Sequence, residues 1–345
     1  MDFKETPYWW EAAPRPTLHE KSVQKSCDVA IIGAGFAGLT AALILARAGR
    51  NVQVFDKQRP GEGASSRNGG IASGNIKMDF SAMVSAFGED AAKRIYAEGV
   101  AAREDLARFI EDEKIDCHFE MTGRFTGAYR PKHYDRLARE AEFLNKHLDL
   151  GAEVVVRANQ HKEVDTGLYH GGVVRPDIGG LHPGLLHQGI LDRALEAGVT
   201  VHGVTNVEGF LKDGDDFLIT TSRGTTKARD LLVCTNGYTG KTTPWLQRRI
   251  VPIPSQIIAT EPIPTETMRR LMPKGRMLGE TRNTYHYYRP SPDGTCIIFG
   301  GRAGAGTDDP REKFKHLHNG LVEIFPELKN VGITHSWWGF TGYTF

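Results

Sequence analysis

Two hydrophobic rhythms alternate along the chain, and the switches between them predict its elements. Val29-Ala-Ile-Ile32 is an unbroken apolar run suited to a buried strand. Phe36 to Ala46 continues at helical spacing, and Val52-Gln-Val-Phe55 is a second strand-like run. From about Met83 to Glu113 apolar residues recur every three or four positions, predicting a helix. Gly123 to Arg130 reads as a strand, and His133 to Leu150 as a helix stopped by Gly151. Residues 152–180 mix glycines with β-branched pairs and predict short strands and hairpins. Leu185 to Ala197 is helical, and Val199 to Val207, Phe217 to Thr221 and Asp230 to Cys234 are strands. Further on, short strands are expected at 250–253, 255–260, 285–289 and 296–299. Pro244, Pro252, Pro254, Pro262 and Pro264 punctuate that region and favour edge strands and corners. Pro310 to Phe325 is helical again.

The first three elements enclose Gly33-Ala-Gly-Phe-Ala-Gly38 and end on Asp56. Gly33 permits a tight turn, Gly35 lets backbone approach a pyrophosphate, and Gly38 lets the helix pack close to its strand. Phe36 and Ala37 open a helix whose unpaired N–H groups and dipole favour a diphosphate. Asp56 is placed to accept hydrogen bonds from a ribose diol. Together these features predict a dinucleotide-binding unit, and the strands after residue 199 read as the rear half returning to its sheet. Val29 to Ala46 carries no charge over eighteen residues, about the length at which a membrane span is considered. Its three glycines, and Asp2, Glu5 and Glu11 ahead of it, favour the strand-turn-helix reading.

Bulk properties narrow the field. The 345 residues allow roughly two domains, and 40% hydrophobic with 25% charged residues is ordinary for a globular chain. A net charge of +1 argues against nucleic acid as a partner. Cys27, Cys117, Cys234 and Cys296 are far apart, so neither a disulfide framework nor a zinc site is expected. Cys27, Cys234 and Cys296 adjoin apolar runs, where a buried thiol is the default. No signal peptide is visible, and the reading is cytoplasmic. His316 and His318 are two apart on a helix and read as surface residues; His182 and His187 lack acids at ligand spacing, so no metal is expected.

A loop, Pro60 to Gly70, follows Asp56 and Lys57 almost at once, where a nicotinamide enzyme continues into another helix and strand. Such a glycine- and serine-rich run can form an anion nest, which turns the choice toward FAD. The chain resembles the FAD-dependent D-amino-acid oxidase superfamily, and within it gamma-glutamylputrescine oxidase-like proteins. The resemblance is carried by the fingerprint through Asp56, Gly63-Ala-Ser-Ser-Arg-Asn-Gly-Gly70, Gly180-Leu-His-Pro183 and Cys234-Thr-Asn-Gly-Tyr238. It continues in Ile258-Ala-Thr-Glu261, Tyr288-Arg-Pro290, Phe299-Gly-Gly-Arg302 and Trp338-Gly339. It implies an α/β fold in which a Rossmann-like FAD domain (1–90, 181–240) is interleaved with an antiparallel-sheet substrate domain (91–180, 241–330). Residues 331–345 would return to the FAD domain. The family continues beyond this point into a further glycine-led helix, so the chain is expected to be a fragment of a longer protein.

By the same resemblance, Ala64, Ser65, Ser66, Arg67, Asn68, Gly69 and Gly70 would line the flavin, and Val207 would meet the adenine through its backbone. Thr235, Asn236 and Gly237 would end a strand near the cofactor. Sarcosine oxidases of the family place a histidine where Asn68 stands, so FAD is expected without a covalent bond. The implied reaction is oxidation of the C–N bond of a small amine or amino acid to an imine, with O2 or an electron carrier as acceptor. A flavin-binding subunit without its own catalysis is the alternative. No catalytic acid–base set is expected, since the cofactor carries the chemistry. Arg289 is either a substrate-carboxylate partner or an ordinary salt bridge. Tyr238, Tyr288 and Trp338, with Tyr285, Tyr287 and Trp337, could wall an alkylamine pocket, although strand alternation turns most of them into the core.

Overall fold

The computed structural model describes residues 3–18, 21–76, 78–302 and 310–344. Two large sheets organise them. The first has six strands in the order Thr200–His202, Val52–Phe55, Ser26–Ile32, Gly224–Val233, Asp216–Thr221 and Val207–Asp213. The first four run parallel, and a β-meander completes the edge. Helices Phe36–Arg47 and Pro183–Glu196 cover one face, burying Ile31, Leu39, Leu43, Val54, Leu186 and Leu191 in one core. On the other face Ala30, Ile32, Phe55, Ile219 and Ala228 form a smaller cluster. A parallel strand covered on both sides must be apolar at successive positions, which is why Val29 to Ile32 shows no alternation.

The second sheet has eight strands, ordered Ile333–Thr344, Ile250–Thr260, Ile297–Arg302, Tyr287–Pro290, Met277–Glu280, Arg124–Gly127, Gly172–Arg175 and Glu153–Val155. Only Met277–Glu280 and Arg124–Gly127 are parallel neighbours. Phe125, Leu278, Tyr288, Phe299 and Ile258 share a core with Leu317, Leu321 and Ile324 of helix Pro310–Ile324. Ile71–Ser73 and Ile178–Gly180 form a two-stranded ribbon.

Two expectations change. The long helix after Met83 is two, Phe80–Phe87 and Glu89–Asp112, divided at Gly88, whose φ of 80° ends the first. Residues 250–260 form one strand despite Pro252 and Pro254. Its proline half pairs only with Ile333–Thr344, because Ile297–Arg302 pairs from Ser255 onward, so the missing N–H groups face no neighbour. Within residues 331–345, expected to return to the FAD domain, strand Ile333–Thr344 pairs along its length with Ile250–Thr260, Trp337 opposite Ile257. Phe345, at its end, lies outside the described residues. His316 and His318 are half-buried, and the His316 ring nitrogen lies 2.9 Å from the Arg302 carbonyl oxygen.

The N-terminal segment is a strap. Its Lys4 bridges to His335, and Trp9 is fully buried against Ile257, Ile298 and Trp337. No helix among the described residues is long and apolar enough to cross a membrane.

Candidate functional site

At the C-terminal edge of the first sheet, strand Ser26–Ile32 hands over to helix Phe36–Arg47. Gly33 takes φ 109°, and an added Cβ would meet the Cys234 carbonyl oxygen at 2.7 Å, so only glycine fits the turn. Its N–H donates to the Phe55 carbonyl at 2.8 Å. Gly38 packs directly on the turn; a Cβ there would collide with the Gly33 carbonyl oxygen. Gly35 is the N-cap of the helix, with the Ser65 hydroxyl 2.8 Å from where its Cβ would stand. That hydroxyl accepts from the Phe36 N–H at 2.9 Å, satisfying one of the orphan donors of the helix start.

Asp56 fixes the turn from the neighbouring strand. One carboxylate oxygen accepts from the Ala34 N–H at 2.8 Å and the other from the Gln58 N–H at 2.9 Å. Burial nevertheless raises its pKa. The opposite support is His187, fully buried, whose Nε2–H donates to the Ala34 carbonyl at 2.8 Å while Nδ1 accepts from Arg15 at 3.0 Å. Burial lowers its pKa to about 4, keeping the ring neutral.

A cleft of about 690 Å³ opens over this turn, within the roughly 300–1,000 Å³ usual for small-molecule sites. Gly33, Gly35, Phe36, Ala37, Asp56 and Lys57 form one wall, and Ala64, Ser65 and Asn68 another. Val207, Thr235, Asn236 and Tyr238 close it, with Cys234 and the segment Gly240 to Thr243. The Val207 carbonyl accepts from the Thr242 hydroxyl at 2.8 Å. Lys57 and Lys241 supply cationic groups along the rim.

Other expected residues support the walls from behind. Ser66 is fully buried and donates to the Gly61 carbonyl at 2.6 Å. Arg67 donates to the carbonyls of Glu62 at 2.6 Å and Trp338 at 3.2 Å, with its guanidinium 4.8 Å from the Trp10 ring centroid. Gly69 lies against the Tyr287 ring, the Gly70 carbonyl accepts from Arg289 at 2.7 Å, and Gly237 packs on Phe340 and Gly342. Three indoles pin the loop: Trp9 donates to the Asn68 carbonyl at 2.9 Å, Trp10 to the Ser66 hydroxyl at 2.8 Å, and Trp337 to the Arg67 carbonyl at 2.9 Å.

Of the expected substrate contacts, only Tyr238 lines this cleft. Tyr288 is fully buried on the far face of its strand, its hydroxyl 3.2 Å from that of Tyr169, because alternation sends Tyr287 and Arg289 to the near face. Among the described residues Arg289 is neither in a salt bridge nor part of the cleft lining. Its nitrogens donate to the carbonyls of Gly70, Leu181 at 2.9 Å and Pro290 at 3.1 Å. Trp338 is 51% exposed. Residues that the sequence did not single out include Lys241 and Thr242, which reach the cleft from a connection whose local pattern signals only a turn.

The family profile described as FAD dependent oxidoreductase matches residues 28–344. A probable oxidoreductase OrdL of Rhizobium meliloti (strain 1021) is 31% identical over 343 residues, covering 97% of this chain and 78% of the relative. Gamma-glutamylputrescine oxidoreductase of Escherichia coli (strain K12) is 30% identical over 332 residues, covering 95% and 76%. Among solved structures, glycine oxidase from Geobacillus kaustophilus superimposes with a TM-score of 0.77 at 18% identity, covering 93% of this chain and 84% of that one.

Proposed function

The chain belongs to the FAD-dependent oxidoreductase family, and from that premise we propose that it oxidises the C–N bond of a small amine or amino acid, with O2 as acceptor. A gamma-glutamylputrescine-like substrate is the best-supported choice, because a relative of that name shares 30% identity over nearly the whole chain. Bound FAD supplies a two-electron oxidant at the amine carbon, leaving an imine that water hydrolyses.

The observation that carries the reading is the cradle itself. Gly33 and Gly35 line the cleft where an added Cβ would meet the Cys234 carbonyl oxygen or the Ser65 hydroxyl, at a helix start suited to a diphosphate. In this reading the diphosphate lies against Gly33, Gly35, Phe36 and Ala37, the ribose diol donates to Asp56, and Val207 borders the adenine. Ala64, Ser65, Asn68, Thr235 and Asn236 border the isoalloxazine, without a covalent bond. Segments 1–90 and 181–240 build this side, and the second sheet closes the substrate side. A cytoplasmic setting goes with four cysteines that form no pair.

The test is an anaerobic visible spectrum of the FAD-loaded chain against a panel of amines and amino acids, followed by a peroxide assay in air. Bleaching by one chemical class, with stoichiometric peroxide, is expected. A flavin that no amine bleaches would refute the reaction; bleaching without peroxide would replace O2 by an electron carrier.

A further inference from the structure

The strap ahead of the first sheet sends one side chain toward the glycine turn. Arg15 precedes residues 28–344, the span that the family profile matches, and is only 5% exposed. Its Nε and Nη2 donate to the Ala13 carbonyl at 3.2 and 2.6 Å, and Nη2 also reaches the Gly184 carbonyl at 3.3 Å. Nη1 remains, and it stands 3.0 Å from Nδ1 of His187. The pair passes beside Gly61 of the cleft wall, where an added Cβ would stand 2.6 Å from Arg15 Nη1 and 2.5 Å from His187 Cε1. Glycine there leaves room for the contact.

A guanidinium has no lone pair to offer, so the ring nitrogen that faces it must be the acceptor. Nδ1 of His187 is therefore bare, and the ring proton sits on Nε2, 2.8 Å from the Ala34 carbonyl oxygen. The other tautomer would set N–H against N–H at Arg15 and lone pair against lone pair at Ala34. Ala34 is thus held twice, its N–H by Asp56 at 2.8 Å and its carbonyl by His187. A trans peptide points its carbonyl and the following N–H in opposite directions, and no peptide among the described residues is cis. Anchoring the Ala34 carbonyl therefore fixes the direction of the Gly35 N–H. That N–H has no acceptor among the described residues, and Gly35 borders the cleft.

We propose that Arg15 is a positioning residue for the cofactor: by fixing the tautomer of His187 it holds the Ala34–Gly35 peptide with its N–H turned to the FAD diphosphate. Neither Arg15 nor His187 lines the cleft, so both act through Ala34. A donor already aimed before binding needs no ordering when the diphosphate arrives, and the saved cost appears as affinity. The proposal rests on the placement of the diphosphate at the glycine turn and adds the side chains that set the turn's direction from behind.

The test labels the histidines of the FAD-loaded full chain with nitrogen-15 and reads their ring nitrogens by two-bond proton–nitrogen correlation. Signals that vanish in His187→Gln belong to His187. The wild type should show a protonated Nε2 and a bare Nδ1. Arg15→Met removes the donor and should give a mixture of tautomers, with FAD binding to the flavin-free chain weakened about 10-fold. Arg15→Lys, which donates and cannot accept, should restore both readouts. In the His187→Gln background Arg15→Met should cost little more, because the ring it directs is gone. If Arg15→Met fails to fold, Arg15→Gln, which accepts as well as donates, frees the tautomer in its place. A proton on Nδ1 in the wild type, an unchanged tautomer in Arg15→Met, or equal FAD affinity of the two proteins overturns the proposal. Protection of Cys234 from alkylation by FAD reports the placement separately. With protection and equal affinities the role of Arg15 fails alone; without protection the diphosphate is not at the turn and both fail.

Discussion

Acid should loosen the glycine turn before it titrates most carboxylates, and His187 is the reason. Its ring is fully buried, donates to the Ala34 carbonyl and accepts from Arg15, so a second proton would face a guanidinium and find no acceptor. Burial lowers its pKa from 6.5 to about 4. Above pH 6.5 the ring is neutral in both the folded and the unfolded chain. Below it the unfolded chain takes up a proton that the fold refuses, so stability falls as pH falls from 6.5 toward 4. The shift corresponds to about 3 kcal/mol across that window. His182 and His202, also buried and also lowered to about 4, act in the same direction. Asp56, whose pKa is raised by burial, opposes them. Urea denaturation between pH 7.5 and 4.5, followed by both fluorescence and flavin absorbance, measures the loss. His187→Gln keeps an N–H donor for Ala34 and removes the titration, so its stability should depend less on pH than that of the wild type. Parallel curves for the two proteins would refute the reasoning.

Three further outcomes are expected. Gly38→Ala drives a methyl into the Gly33 carbonyl; it should cost about 1–3 kcal/mol by overpacking and lower FAD affinity measured by fluorescence titration. Asp56→Ala strands the N–H groups of Ala34 and Gln58, at about 1–3 kcal/mol for each donor left buried; thermal melts should show the loss, and added FAD should restore less of it than in the wild type. Trp10→Phe keeps the ring but removes the donor to Ser66; about 1 kcal/mol and faster FAD release by stopped-flow dilution are expected, whereas unchanged release would show that the strap does not hold the loop.

Much of the glycine turn was legible because it is local. Gly33, Gly35, Gly38 and Asp56 lie within one strand-turn-helix-strand unit, where each residue type answers to a steric or hydrogen-bonding demand set by near neighbours. Trp9 and Trp10 were legible only as packing, since their partners Asn68 and Ser66 lie more than fifty residues away and meet them only when the sheets close together. Cys234 reads as a buried strand-end thiol yet borders the cleft, because the strand ends there.

The occupant of the cleft can be tested at Cys234, which borders it, with the half-buried Cys27 outside it as an internal control. Alkylation by a maleimide, resolved by peptide mass spectrometry, should slow at Cys234 when FAD is added and remain unchanged at Cys27. Burial raises the pKa of both thiols, so the reaction is run at alkaline pH. If FAD binds stoichiometrically and the Cys234 rate does not change, the cofactor lies somewhere other than over the glycine turn.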